Sequence, residues 1–136
     1  MTNPAEAVVR KSLKAVEHGD FGALDELFSE NFIYQDPQFV RHGREAMKSR
    51  FQKGQQSVSE MVWETKAVVS NGETVMTERS NTFTINGKRL TLDIVGVFEV
   101  GDDGKIKRWR EYFRYEPVKR SLGLRFFKRW LVPHQP

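Results

Sequence analysis

The residues able to carry acid/base chemistry lie in three short segments, which hold Tyr34 and Asp36, then Arg79 and Asn81, and finally Glu111. Within each pair the two residues are two apart, so both side chains would point to the same side of a strand. A carboxylate can accept a proton, and a phenol, an amide or a guanidinium can donate hydrogen bonds to developing negative charge. These residue types suit general acid/base chemistry if the fold brings the three segments together.

The spacing of apolar residues predicts the elements that must position these side chains. Helical spacing follows Asn3 and Pro4 and ends at Gly19, which is typical of a capped first helix. From Met61 onward the pattern changes to long, strand-like runs. The expected elements are a helix at 4–19, a short helix around 24–28, a brief strand at 32–35, a helix at 43–51, and strands at 61–70, 74–85, 89–100 and 105–115.

Two turn signals predict how the long strands pair. Asn71-Gly72 and Asn86-Gly87 are dipeptides that type I′ hairpin turns favour, so the strands should form an antiparallel meander. Such a sheet needs one face covered, and the N-terminal helices are available to cover it. The sequence therefore predicts an α+β domain, with a curved antiparallel sheet packed on N-terminal helices and a basic helix at the C-terminus.

Strand register predicts where the polar residues point. The second hairpin turn would place Arg79 opposite Ile94, and a four-residue turn at 101–104 would place Ile94 opposite Glu111. Arg79, Asn81 and Glu111 would then project from the apolar face of the sheet. A buried charge must be paired, so Arg79 and Glu111 should form an ion pair. A purely structural pair in an ordinary core is the alternative, but three converging polar groups favour a ligand site.

Apolar and aromatic residues on the same side would form the wall of this site. Those expected to contact a small hydrophobic molecule are Met47, Phe51, Trp63, Phe83, Leu92, Ile94, Trp109 and Phe113. Asp36, which precedes Pro37, has two interpretations. It is either a turn residue, where Asp is common, or a general base whose pKa is raised at the mouth of an apolar pocket. Tyr34, two residues earlier, would donate a hydrogen bond to it or to the substrate.

Composition argues against several classes of function. The chain has no Cys, which excludes a disulfide framework and thiolate chemistry. Its three His residues show no metal-ligand spacing and it has no glycine-rich phosphate loop, so we expect no metal and no other cofactor.

Residues 117–136 hold five basic residues and no acidic one, leaving 17 basic and 18 acidic residues in 1–116. Because the net charge of +4 belongs to the tail, a nucleic-acid partner is not expected. Without a signal or membrane-spanning pattern, a cytoplasmic protein is expected.

The tail is expected to be a separate segment. We assign residues 1–116 to a pocket domain and residues 117–136 to a basic, amphipathic extension. Apolar residues such as Leu122, Phe126 and Trp130 recur at helical spacing within 118–132. This helix would pack on its own domain or on a dimer mate, or make weak contact with an anionic membrane surface.

Two segments, Tyr34 to Pro37 and Gly104 to Phe113, together with the order of the elements, resemble the nuclear-transport-factor-2-like superfamily, in particular its SnoaL-like members. The resemblance covers residues 4–115. It implies a cone-shaped α+β fold with a deep pocket, often dimeric through the outer face of the sheet, so a homodimer is expected. The superfamily includes isomerases, cyclases, hydrolases and pure binding proteins.

Within that superfamily the chain is most similar to limonene-1,2-epoxide hydrolases, which use an Arg flanked by two Asp, with a Tyr and an Asn that hold the attacking water. The motifs that carry the similarity lie at 77–81, 92–98 and 109–113. The residues that match are Tyr34, Arg79 and Trp109. By this resemblance Asn81 replaces the proton-donating Asp, Glu111 replaces the water-activating Asp, and Asp36 replaces the Asn. An active form would need to shift the acid and base roles onto Asp36 and Glu111.

A second resemblance concerns Asp36-Pro37, which lies where ketosteroid isomerases carry their catalytic Asp-Pro. Those enzymes add a protonated Asp on a later strand, and the equivalent position here is Gly96. The oxyanion donors would then be Tyr34, or Asn81 together with Arg79.

The sequence thus supports three hypotheses. In the first, the protein is an isomerase, cyclase or hydrolase of a hydrophobic oxygenated substrate, such as a terpenoid, steroid-like or polyketide compound. Asp36 is its base and Tyr34 assists, while Arg79, Asn81 and Glu111 orient substrate or water and stabilise negative charge. The second is an epoxide hydrolase of the limonene type with altered acid and base residues. The third is a non-catalytic protein that binds a small ligand.

Overall fold

The computed structural model describes residues 3–116 together with residues 118 and 120. The bounds of the elements are α1 Pro4–Glu17, a 3-10 turn at Phe21–Ala23, α2 Leu24–Leu27, β1 Phe28–Gln35, β2 Val40–His42, α3 Arg44–Gln56, β3 Ser59–Asn71, β4 Thr74–Ile85, β5 Lys88–Val100 and β6 Ile106–Tyr112. The predicted order, with helices before long hairpin-linked strands, is confirmed. Several bounds differ from the predictions: β2 was not predicted, β1 begins at residue 28 rather than 32, α3 ends at residue 56 rather than 51, and β6 ends at residue 112 rather than 115.

The first helix begins where the capping signal predicted. The side-chain oxygen of Asn3 accepts hydrogen bonds from the backbone N–H groups of Ala5, at 2.8 Å, and Glu6, at 3.2 Å. Pro4 occupies the first turn of the helix. A backbone N–H at this position would have no acceptor within the helix, so proline costs no helical hydrogen bond here. The helix ends before Gly19, whose φ of +74° is a conformation that glycine adopts without strain. The residues that α1 buries are Ala5, Val9, Ser12, Leu13, Ala15 and Val16.

Six strands form one sheet in the order β2-β1-β6-β5-β4-β3. The predicted α+β class, with N-terminal helices packed on a curved sheet, is confirmed. The expectation of a wholly antiparallel sheet is wrong at one place, because β1 pairs parallel with β6. These two strands are separated by most of the chain, so no tight hairpin forces them to run in opposite directions.

The register between β4 and β5 agrees with the prediction, since Ile85 pairs with Lys88 and Arg79 pairs with Ile94. The register between β5 and β6 differs from the prediction, because Glu111 lies opposite Gly96 rather than opposite Ile94. The connection is one residue longer than a four-residue turn, and an irregularity after Glu99 adds another residue. A shift of two residues preserves the side to which each side chain points, so the predicted inward face survives the error.

The buried side chains form two clusters. One lies under α1 and β1 and includes the stacked rings of Phe28 and Phe32, with Trp109 against Phe28. The other lies towards the β4–β5 hairpin and includes Phe83, with Tyr115 and other residues of β4 and β5. Members of both clusters border one pocket.

No helix within the described residues is long and apolar enough to span a bilayer. Most of the predicted C-terminal helix, and with it the possible membrane contact, lies outside the described residues. Val118 is described, and it is buried in the second cluster. The division of the chain at residues 116 and 117 therefore stays a prediction.

Candidate active site

A pocket opens between α3 and the inner face of the sheet. Its cavity volume is about 170 Å³, slightly above the roughly 150 Å³ that holds a benzene-sized molecule in an apolar interior. The polar residues predicted for the site that line it are Tyr34, Asp36, Asn81 and Glu111. The predicted apolar contacts that line it are Met47, Phe51, Trp63, Phe83, Leu92, Ile94, Trp109 and Phe113. A mostly apolar wall with a few convergent polar groups is the usual form of a small-molecule site.

Arg79 is the one predicted site residue that does not line the pocket. It lies behind the pocket wall with no exposed surface, and its guanidinium donates a short hydrogen bond to Oε1 of Glu111. The guanidinium carbon also lies 5.2 Å from the ring centroid of Trp63 and 5.9 Å from that of Trp109. Aromatic faces attract a cation, so these rings help to hold Arg79 in place. Arg79 therefore acts on the pocket through Glu111.

Asp36 combines both of the roles that the sequence suggested. Its Oδ1 accepts hydrogen bonds from the backbone N–H groups of Gln38, at 2.8 Å, and Phe39, at 3.2 Å, as a turn residue does. Its Oδ2 accepts a hydrogen bond of 3.2 Å from the Tyr34 hydroxyl. The Tyr115 hydroxyl also hydrogen-bonds to this carboxylate. The turn thus fixes Oδ1 while the Tyr34 phenol holds Oδ2, and the Tyr115 phenol gives the carboxylate a further hydrogen bond.

Two further titratable residues that line the pocket, Tyr115 and Arg50, were not predicted as site residues. Strand alternation places Tyr115, two residues beyond Phe113, on the predicted inward face of the sheet, which is the signal for it in the sequence. Arg50 lines the pocket from α3 one residue before Phe51. Nothing in the helical pattern separated this arginine from the solvent-facing basic residues of the same helix.

Burial raises the pKa of both carboxyl groups. The pKa of Asp36 lies above its usual value because burial outweighs the hydrogen bonds that it accepts. Burial also raises the pKa of Glu111, and the negative charge of Asp36 adds to the effect, while Arg79 lowers it. The pKa of Tyr34 is raised far above its usual value by burial and by both carboxylates, so this phenol remains a hydrogen-bond donor.

Several buried polar atoms of the site have no hydrogen-bond partner among the described residues. They are Oδ1 of Asn81, Oε2 of Glu111, and Nε and Nη1 of Arg79. Buried polar groups normally find partners, because leaving one unsatisfied costs about 1–3 kcal/mol. The two acceptor atoms belong to residues that line the pocket, so they are available to a polar group of a ligand or to water, whereas the two donor atoms of Arg79 lie behind the pocket wall.

Gly96 makes room for Glu111. A Cβ atom at position 96 would lie 2.8 Å from Oε2 of Glu111 and 2.9 Å from Cε1 of Phe98, both closer than real contacts. Gly96 on β5 thus accommodates the carboxyl group of Glu111 from the neighbouring strand β6. Within the described residues, no group of three His, Cys, Asp or Glu side chains is arranged to hold a metal ion.

A curved sheet that cups an apolar pocket with buried carboxyl groups defines a small-molecule pocket domain of the cone-shaped α+β class. Residues 9–109 match the SnoaL-like domain family, and the chain belongs to that family. The resemblance seen in the sequence is confirmed by this match.

Known relatives include enzymes that act on epoxides. The chain is 32% identical over 108 residues to the epoxide hydrolase EphG of Mycobacterium tuberculosis, covering 77% of this chain and 70% of that protein. A solved structure of an M. tuberculosis LEH-like epoxide hydrolase superimposes with a TM-score of 0.77 at 27% identity, over 96% of this chain and 93% of the other. The epoxide hydrolase/cyclase-like enzyme SalBIII, with a role in pyran ring formation in polyether salinomycin, shares the fold at a TM-score of 0.74 and 24% identity, over 83% and 92% of the two chains.

The space left by Gly96 yields a first prediction. Gly96→Ala should force Glu111 or Phe98 to move and should destabilise the protein by about 1–3 kcal/mol, as overpacking does. Gly54→Ala is the matched control, because position 54 also borders the pocket but an added Cβ there meets nothing within 4 Å. Urea unfolding measures the free energy of unfolding of both variants. Equal values would show that position 96 has room for a Cβ atom.

The buried ion pair yields a second prediction. Arg79→Met leaves Glu111 without its partner and should lower the free energy of unfolding by about 3–5 kcal/mol at neutral pH. The loss should shrink at acid pH, where Glu111 becomes protonated. The double variant Arg79→Met with Glu111→Leu should recover most of the stability. Urea unfolding of both variants at several pH values tests this, and a double variant as unstable as the single one would contradict the pairing.

Proposed function

We propose that this protein is a general acid/base enzyme that acts on a small, hydrophobic, oxygen-bearing molecule. The observation that carries the proposal is the pair of buried carboxyl groups, Asp36 and Glu111, on the wall of one apolar pocket. Burial raises the pKa of each towards the range in which proton transfer near neutral pH is efficient. The 32% identical relative, an epoxide hydrolase, supports the reaction type.

Asp36 is assigned as the base. Its backbone hydrogen bonds from Gln38 and Phe39 fix the carboxylate, and the Tyr34 and Tyr115 hydroxyls donate further hydrogen bonds to it. A base held in this way needs no rearrangement when it takes a proton from a substrate carbon or from a water molecule. The phenols then keep donating hydrogen bonds to the carboxyl group or to a nearby substrate oxygen.

Glu111 and Asn81 form the opposite polar group of the pocket. Arg79 fixes one oxygen of Glu111 and leaves Oε2 available, so the second oxygen can share a proton with substrate. The Asn81 amide lines the pocket from β4, which is separated from the strand of Glu111 by β5, and it can donate a hydrogen bond to an oxyanion. Arg79 lies behind both and stabilises negative charge from a distance.

Epoxide hydrolysis is the second candidate, because the 32% identical relative is an epoxide hydrolase. In this reaction Asp36 takes a proton from water as the water oxygen attacks an epoxide carbon. The C–O bond breaks and the ring oxygen takes a proton from Glu111 in its protonated form. The product is a vicinal diol, and the proton returns from Asp36 to Glu111 through solvent. This assignment places the acid on Glu111 because an amide at Asn81 cannot donate that proton.

The base assignment yields a third prediction. Asp36→Asn should lower turnover about 10²–10⁴-fold, as expected for loss of a general base. Folding should be retained, because an amide oxygen can still accept the turn hydrogen bonds. A panel of apolar epoxides and ketones, with product analysis in ¹⁸O-labelled water, measures turnover and separates hydrolysis from isomerisation.

Glu64→Gln is the control for this panel, since Glu64 is an exposed carboxylate on β3. It should leave turnover unchanged. An Asp36→Asn variant as active as the wild type would refute the base assignment. Binding of panel compounds without any product in the wild type would show a non-catalytic binding protein instead.

The raised pKa of Asp36 yields a fourth prediction about pH. A base works when deprotonated, so the rate should fall as pH drops through a midpoint above the roughly 3.9 of an exposed aspartate. A raised pKa also means that the folded state favours the protonated form, so stability declines as pH rises through that value. Asp36→Asn should therefore equal or exceed the wild type in thermal stability at pH 7 and lose this advantage at acid pH.

We further propose that the protein is a cytoplasmic homodimer and that its ligand is a small hydrophobic molecule. The outer face of the sheet exposes apolar side chains on neighbouring strands, among them Met76, Val95 and Tyr112. A second copy of the chain would cover such a surface.

A further inference from the structure

Two arginines converge on the ring of Phe39, a residue of the pocket wall, although Arg41 does not itself line the pocket. The guanidinium carbon of Arg50, on α3, lies 5.1 Å from the ring centroid, and that of Arg41, on β2, lies 5.7 Å away. Arg50 and Phe39 both line the pocket. Arg41 pairs with Tyr34 across β1 and β2, so both side chains lie on the same side of the sheet. Both arginines are half-buried, which places them between the pocket and solvent.

These two cations repel each other. Burial lowers the pKa of Arg50, and the charge of Arg41 is the next cause. Asp36 is the acid nearest to Arg50 that opposes this effect. Arg41 makes no ion pair with any acidic side chain of the described residues. The charge of Arg41 is therefore not offset by an ion pair among those residues, and an anion placed beside the Phe39 ring would be attracted to it.

From this arrangement we infer that the ligand is a hydrophobic molecule that carries a carboxylate, and that Arg50 and Arg41 receive the carboxylate beside Phe39. The inference deepens the proposed function and rests on the same pocket. The apolar body would lie deeper, against residues such as Phe51, Phe83 and Leu92. The reacting oxygenated carbon would then lie between the two ends, near Asp36 and Glu111.

The simpler interpretation is that Arg50 serves only as a counter-ion for Asp36. That interpretation gives Arg41 no role, and it predicts no preference between a charged and a neutral ligand. Arg41 is therefore the more informative position, because its removal leaves the Arg50–Asp36 interaction in place. A guanidinium matches the two oxygens of a carboxylate, so a strong preference for an acid over its amide is expected.

The test compares 4-phenylbutanoate with 4-phenylbutanamide, which share an apolar body and differ in charge. Isothermal titration calorimetry with the full chain should show the carboxylate binding at least about tenfold more tightly than the amide. Arg41→Gln and Arg50→Gln should each reduce that ratio several-fold while leaving the amide affinity nearly unchanged. Arg10→Gln, on the exposed face of α1, is the control and should leave the ratio as it is. Raising the salt concentration should also reduce the ratio.

Equal or weaker binding of the carboxylate by the wild type would overturn the inference, as would a preference that survives in both pocket variants. The unchanged amide affinity shows that each variant keeps a folded pocket. Failure here is distinct from failure of the proposed function, because Asp36-dependent turnover of neutral epoxides or ketones can persist without any preference for acids. If neither probe binds, the assigned ligand class is wrong.

Discussion

The carboxylate of Glu111 lies in an apolar interior beside the guanidinium of Arg79, and neither charge would be tolerated there alone. This interaction organises the surroundings. Trp63 and Trp109 hold the guanidinium, and Gly96 leaves the space that the glutamate occupies. Such a pair adds little to stability compared with an apolar replacement, so its persistence is better explained by the polar oxygen that it presents to the pocket.

The fold supplies the second carboxylate from a different part of the chain. Because β1 runs parallel to β6, Tyr34 lies beside Trp109, and the turn after β1 brings Asp36 to the same pocket. Helix α3 then covers the pocket and contributes Arg50. Two carboxyl groups with raised pKa values, each held by different donors, form the kind of asymmetric pair from which acid and base roles are drawn.

Much of this arrangement could be predicted from the sequence, for physical reasons. Strand alternation and the Asn86-Gly87 turn determine which side each residue of β4 and β5 faces, so the inward placement of Arg79 and Asn81 followed directly. The pairing of β5 with β6 could not be obtained in the same way, because neither the longer connection nor the irregularity after Glu99 has a distinctive sequence signal. The prediction that Glu111 faces inward was still correct, because a shift of two residues leaves each side chain on the same face of the sheet.

Contacts between distant segments were harder to predict. The parallel pairing of β1 with β6 depends on tertiary packing, and so does the position of Arg50 beside Phe39 and Arg41.

Whether the two carboxyl groups are desolvated, as this account requires, can be measured directly by ¹³C NMR titration of the carboxyl carbons, with Asp36→Asn and Glu111→Gln to assign the signals. The account predicts that both signals titrate above the range of the exposed carboxylates. Titration of both groups together with the exposed carboxylates would contradict it.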